Sequence, residues 1–155
     1  MMIKREDIIG AKIHNVYTDN DTRRGLNYTT VYFKTDRGFS FILPMPGHDW
    51  TAVKVPILAK MIRDNDVAVK RMKDNPIVGV FCERQEEGYE YEPDECFILL
   101  KDETRVSCRS CAPEGISTGL ILETKSDSQD KLPIIDVFDI PRRKCRAPGF
   151  SWTQI

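Results

Sequence analysis

Residues 28–43 read Tyr-Thr-Thr-Val-Tyr-Phe-Lys-Thr-Asp-Arg-Gly-Phe-Ser-Phe-Ile-Leu, and this stretch limits the fold more than any other. Two runs rich in β-branched and aromatic residues flank Asp36-Arg37-Gly38, so the spacing predicts a β-hairpin with its turn at that tripeptide. An isolated hairpin is only marginally stable in water. The rest of the chain must therefore supply further strands and a helix to cover its apolar face.

Upstream, Ile9, Ala11 and Ile13 alternate and Val16 follows after a shift of phase, which predicts a first strand within 8–18. Pro44-Met45-Pro46-Gly47 closes the hairpin's second strand, because proline cannot donate to a ladder. From Pro56 the period changes: Leu58, Met61 and Ile62 recur at helical spacing, predicting a helix over about 56–64. Residues 66–70 fit either its continuation or a short alternating strand. Apolar runs at 77–82 and 96–100, a turn at 101–104, and further runs at 105–110, 118–124 and 132–140 predict the remaining strands. Three strands, a short helix and four or five more strands make an α+β fold with a mainly antiparallel sheet, curved or split into two layers. Residues 1–141 read as one globular domain and 142–155 as a basic and aromatic C-terminal tail.

At 155 residues the chain is the size of a single domain able to bury a sizeable core without staples. Its net charge of −1 gives no bulk attraction to nucleic acid or to an anionic membrane, so any electrostatic partner must be held by a local patch. No apolar run has the length of a signal peptide or a membrane span. The expectation is a cytoplasmic protein with no membrane partner and no cofactor. Cys82, Cys96, Cys108, Cys111 and Cys145 are odd in number and irregular in spacing, which favours reduced thiols over a secreted disulfide framework.

Charge is segregated along the chain. Residues 83–95 hold seven carboxylates, Glu83, Glu86, Glu87, Glu90, Glu92, Asp94 and Glu95, against Arg84 alone. A hairpin tip there would present Tyr89 and Tyr91 among carboxylates, a composition suited to docking on a basic protein surface. The same composition suits a solvated connection that keeps strand edges from aggregating. Residues 54–73 carry six basic side chains against two acidic ones, and Arg142, Arg143, Lys144 and Arg146 precede Phe150 and Trp152 in the tail. One short basic cluster in a chain of net negative charge is a surface tail more often than a nucleic-acid site, so nucleic acid is not expected as a partner.

Other chemistry is sparse. Pro46-Gly47-His48-Asp49-Trp50 places an imidazole, a carboxylate and an indole in one loop, a candidate ligand-binding site. Cys108 and Cys111 form a C-x-x-C that could join Cys96 in a zinc site, although structural zinc sites ordinarily show two such close pairs. The nine glycines form no phosphate-binding loop, no G-x-S-x-G is present, and nothing ties His14 to His48. No catalytic residues are assigned.

Gly10-Ala11-Lys12-Ile13, the pair of runs around Phe33-Lys34-Thr35-Asp36-Arg37-Gly38-Phe39, and Phe41-Ile42-Leu43-Pro44 together resemble the pattern of small bacterial immunity-type proteins, which neutralise a cognate toxin. The resemblance covers the first 45 residues or so and implies a class, with no residue roles. It implies action by occlusion of a toxin's active site, and an acidic face suits a toxin with a basic site. On this reading the protein is a binding inhibitor acting through Glu86, Glu87, Tyr89, Glu90, Tyr91, Glu92, Asp94 and Glu95. The alternatives are a ligand-binding protein or enzyme using His48, Asp49 and Trp50, and a zinc-stabilised domain using Cys96, Cys108 and Cys111.

Overall fold

A computed structural model describes residues 1–21, 28–62, 67–83, 95–108, 120–123 and 134–140. In chain order its elements are α1 (Arg5–Ile8), β1 (Ile13–Asp21), β2 (Tyr28–Thr35), β3 (Ser40–Phe41), β4 (Lys60–Met61), α2 (Val67–Asp74), β5 (Ile77–Glu83), β6 (Glu95–Leu100), β7 (Arg105–Cys108), β8 (Leu120–Glu123), β9 (Ile134–Asp136) and a single-turn 3₁₀ helix (Val137–Asp139). The strands form two sheets, ordered β3-β2-β1-β4 and β8-β7-β6-β5-β9. Every pairing is antiparallel. This is the α+β fold expected, with the sheet divided in two. No described helix is long and apolar enough to cross a membrane.

The hairpin's turn forms where its residues call for it, but its second strand is only Ser40–Phe41 and stops before Ile42 and Leu43, where pairing with β2 ends. Thr35 donates its backbone N–H to the Phe39 carbonyl at 2.9 Å, and Gly38 takes φ 89°, a left-handed conformation that glycine accepts at no steric cost. Alternation then sends Val31, Phe33 and Thr35 inward and leaves Lys34 exposed. Phe33 stacks on Phe41 across the pair, ring centroids 5.3 Å apart.

The inner faces of both sheets share one core. Val16, Val31, Phe33 and Phe41 of the first meet Val80, Ile98, Leu100 and Val106 of the second, with Ile8 of α1 and Val69 and Met72 of α2 completing the cluster. Val69 and Met72 are three apart, on one helical face. A backbone seam joins the halves: Gly10 donates to the Ile77 carbonyl and Ile77 donates to the Ala11 carbonyl, each at 2.8 Å.

Three expectations are corrected and one is explained. The segment before the first strand is partly helical, because the Asp7 carboxylate accepts the Lys4 backbone N–H at 2.8 Å and caps α1. The shift of phase between Ile13 and Val16 is a register shift in the β1–β2 ladder between Ile13 and Asn15. Residues 56–62 are not helical: Ile62 donates to the Val16 carbonyl at 2.8 Å beside β4, so pairing with the β1 edge outweighs the local periodicity, and the helix forms over 67–74. The final run is a strand only to Asp136, whose carboxylate accepts the Phe138 N–H at 2.9 Å and turns the chain into the 3₁₀ helix.

Cys82 and Cys96 are also not free thiols. They face each other in the β5–β6 register and are joined by a disulfide, with Cα atoms 4.1 Å apart. Two small apolar side chains opposed on an inward face are close enough to bridge, and linear spacing alone did not reveal that they are opposed.

Candidate functional site

Three segments far apart in sequence build a cleft of about 430 Å³. The first is the amino-terminal arm with α1. Ile3 donates to the Trp50 carbonyl at 2.8 Å and Ala52 donates to the Met1 carbonyl at 2.9 Å, laying residues 1–3 beside residues 50–52. The organising hairpin fixes α1 itself: Arg37, in its turn, donates through Nη1 to the carbonyls of Glu6 at 3.1 Å and Asp7 at 3.0 Å.

The second segment is the loop that carries His48, Asp49 and Trp50. His48 donates its backbone N–H to the Met45 carbonyl at 3.1 Å, closing a turn in which Gly47 has φ 80° and brings the exposed imidazole to the rim. Trp50 is turned the other way and is buried. Its indole N–H donates to the Ile42 carbonyl at 2.8 Å, and its ring meets Phe41 edge-on with centroids 5.2 Å apart. Trp50 is thus a wall held by the core more than a mobile stacking group.

The third segment is the 3₁₀ helix. Phe138 lies against Trp50, centroids 5.9 Å apart. Arg5 Nη2 donates to Asp139 Oδ1 at 3.0 Å and lies 3.5 Å from Asp136 Oδ2, with its guanidinium 5.6 Å above the Phe138 ring. The Asp139 hydrogen bond and the Asp136 charge make Arg5 hold its proton more firmly than an ordinary arginine. This exposed contact contributes little to stability, because solvent screens it. It does tie α1 to the far side of the cleft.

The result is an apolar interior of Ile3, Trp50, Val137 and Phe138 within a rim of both charge signs: Lys4 and Arg5, Glu6, Asp49 and Asp139, with His48 among them. The volume falls in the range of small-ligand pockets, about 300–1,000 Å³, and so does the pairing of apolar walls with a few polar groups. Such a cleft can hold a flat apolar body and hydrogen-bond to polar groups at its edge. No family model, curated protein or solved structure matches this chain. The site must therefore be read from its own chemistry.

His48, Asp49 and Trp50 are brought together as the sequence suggested. Lys4, Arg5, Glu6 and residues 137–140 were missed: Arg5 and Asp139 are 134 positions apart, and no local pattern links them. Of the acidic set, Glu86, Glu87, Tyr89, Glu90, Tyr91, Glu92 and Asp94 lie outside the described residues. Glu95 opens β6 directly opposite Glu83, so segment 84–94 connects two paired antiparallel strands. Of the cysteine trio, Cys96 is bridged to Cys82 and Cys111 lies outside the described residues. Burial pushes the Cys108 thiol up to about 12, against an ordinary 9.0. No group of three or more His, Cys, Asp or Glu is placed to hold a metal ion among the described residues.

Proposed function

We propose that this protein binds a small ligand in the cleft between α1, the His48 loop and the 3₁₀ helix. The observation that supports this reading is the convergence of three distant segments on one concavity with an aromatic wall and a rim of mixed charge. The ligand class this chemistry favours is a compact molecule with a planar or apolar body and polar groups at its edge. Trp50 and Phe138 would cover the body, and His48, Lys4 and Asp49 would meet the edge. The test is native mass spectrometry of the protein captured from its source cells. A small non-covalent adduct on the natural chain, absent from His48→Ala, is expected. A bare chain in both would contradict the reading. His48 is exposed, so its truncation leaves folding nearly unchanged.

A second reading is supported by a different observation. Segment 84–94, acidic in composition, joins strands that are paired at Glu83 and Glu95 and cross-linked at Cys82 and Cys96. On this reading the protein is an inhibitor of the immunity type that occludes a partner protein, a toxin with a basic site, through Glu86, Glu87, Tyr89, Glu90, Tyr91, Glu92, Asp94 and Glu95. The cytoplasmic location expected from the sequence belongs to this reading. Reversing Glu86, Glu87, Glu90 and Glu92 to lysine would then weaken a stoichiometric protein complex while the melting temperature held. A complex that survived the reversal would count against it.

A further inference from the structure

The turn at residues 56–59 breaks a rule kept by most surface turns. Ala59 donates its N–H to the Pro56 carbonyl at 3.0 Å, so Ile57 and Leu58 are the two central residues of a closed turn. Glycine and small polar residues ordinarily fill those positions, for conformational and solvation reasons. Here both side chains stand in water, Ile57 101% exposed and Leu58 87%. Neither belongs to the core cluster, so folding does not account for them.

Their surroundings have one dominant sign. Lys54 and Lys60 flank the turn, both exposed, and residues 53–62 contain no acidic side chain. Beside the turn, Met61 of β4 is opposite Tyr17 of β1, and Tyr17 is opposite Tyr32 of β2, a row across the outward face of the first sheet. A shallow concavity on this side is lined by Tyr17, Lys34, Ser40 and Lys54, and the charged side chains among its lining residues are the two lysines. Asp19 also stands near Tyr32, where partial burial and then the Asp19 charge push the phenol up.

We propose that this turn and the tyrosine-bearing face beside it dock on an anionic lipid surface. Ile57 and Leu58 enter the boundary between headgroups and acyl chains, and Lys34, Lys54 and Lys60 meet the headgroup phosphates. Two features favour lipid over a protein partner. A tip of two exposed apolar side chains needs a complementary pocket in a protein partner, whereas a bilayer takes it up without one. Lysine is depleted in protein interfaces but is the usual companion of an apolar anchor on an anionic membrane. Tyrosine, with an apolar ring and a polar tip, suits the headgroup level as well as it suits a protein interface. The expectation of no membrane partner rested on the lack of a spanning stretch and on a net charge of −1; surface docking requires no spanning stretch, and its attraction is the local one of Lys34, Lys54 and Lys60.

The test is co-sedimentation with phosphatidylcholine vesicles, with and without phosphatidylglycerol. The natural chain is expected to sediment with the anionic vesicles only, and less so as salt rises. Ile57→Ser combined with Leu58→Ser should lower partitioning about tenfold or more at an unchanged melting temperature, since both side chains are already in water. Lys54→Glu with Lys60→Glu should do so by a similar factor. The proposal is overturned if the natural chain ignores anionic vesicles, if the serine variant partitions as before, or if neutral vesicles bind equally well. It is equally overturned if the serine variant loses a stoichiometric protein complex and vesicles bind neither form.

Discussion

Gly79 sits in β5 beneath the ring of Phe81, in the space a Cβ would occupy. A methyl group there would push the half-buried ring off its contact with Phe97, centroids 5.9 Å apart. Gly79→Ala should therefore lower stability by about 1–3 kcal/mol, measured by chemical denaturation. A neutral outcome would mean that Phe81 has another low-energy position. Cys108 is governed by burial instead. Its folded pKa is raised to about 12 from 9.0, so below about pH 9 both folded and unfolded chains hold the proton and its contribution is intact. As pH climbs from 9 toward 12 the unfolded chain ionises first, and stability falls. Native Cys108 should resist iodoacetamide at pH 8 and react once the chain is unfolded, as read by peptide mass mapping. Rapid alkylation of the native, half-buried thiol would contradict its raised pKa. These residue environments were only partly legible beforehand. His48-Asp49-Trp50 could be picked out as a cluster of chemistry, but the core role of Trp50 depends on an indole hydrogen bond to Ile42, which sequence does not display.

At the scale of elements, legibility follows how local the causes are. The hairpin was readable because turn chemistry and alternation lie within sixteen consecutive residues. The helix at 56–64 was misread because the competing interaction, the edge of β1, is some forty residues upstream. The disulfide was missed because Cys82 and Cys96 oppose each other only once β5 and β6 are in register. Hairpin and cleft are mechanically linked by Arg37, which holds two carbonyls of α1 from the turn. We expect Arg37→Ala to cost about 1 kcal/mol, the loss of two charged-donor hydrogen bonds largely offset by solvent at an exposed site. The same change should weaken ligand binding several-fold by releasing Lys4 and Glu6 from their positions on the rim. Unchanged binding would show that α1 is held mainly by Ile8 in the core.

For the whole molecule, two described surfaces differ in chemistry: the cleft, and the exposed apolar turn before β4. The cleft is a seam assembled from residues 2–6, 48–50 and 137–140. A seam of this kind leaves no signature in the sequence, since each contributing segment is unremarkable by itself and only tertiary packing brings them together. The most direct measurement of where this protein binds is amide NMR of the isotope-labelled chain on addition of a small-molecule extract of its source cells. We expect the perturbed amides to cluster at residues 2–6, 48–50 and 137–140, with His48→Ala abolishing the shifts. Perturbations confined to other residues, or none at any concentration of extract, would contradict the assignment of the cleft as the working site.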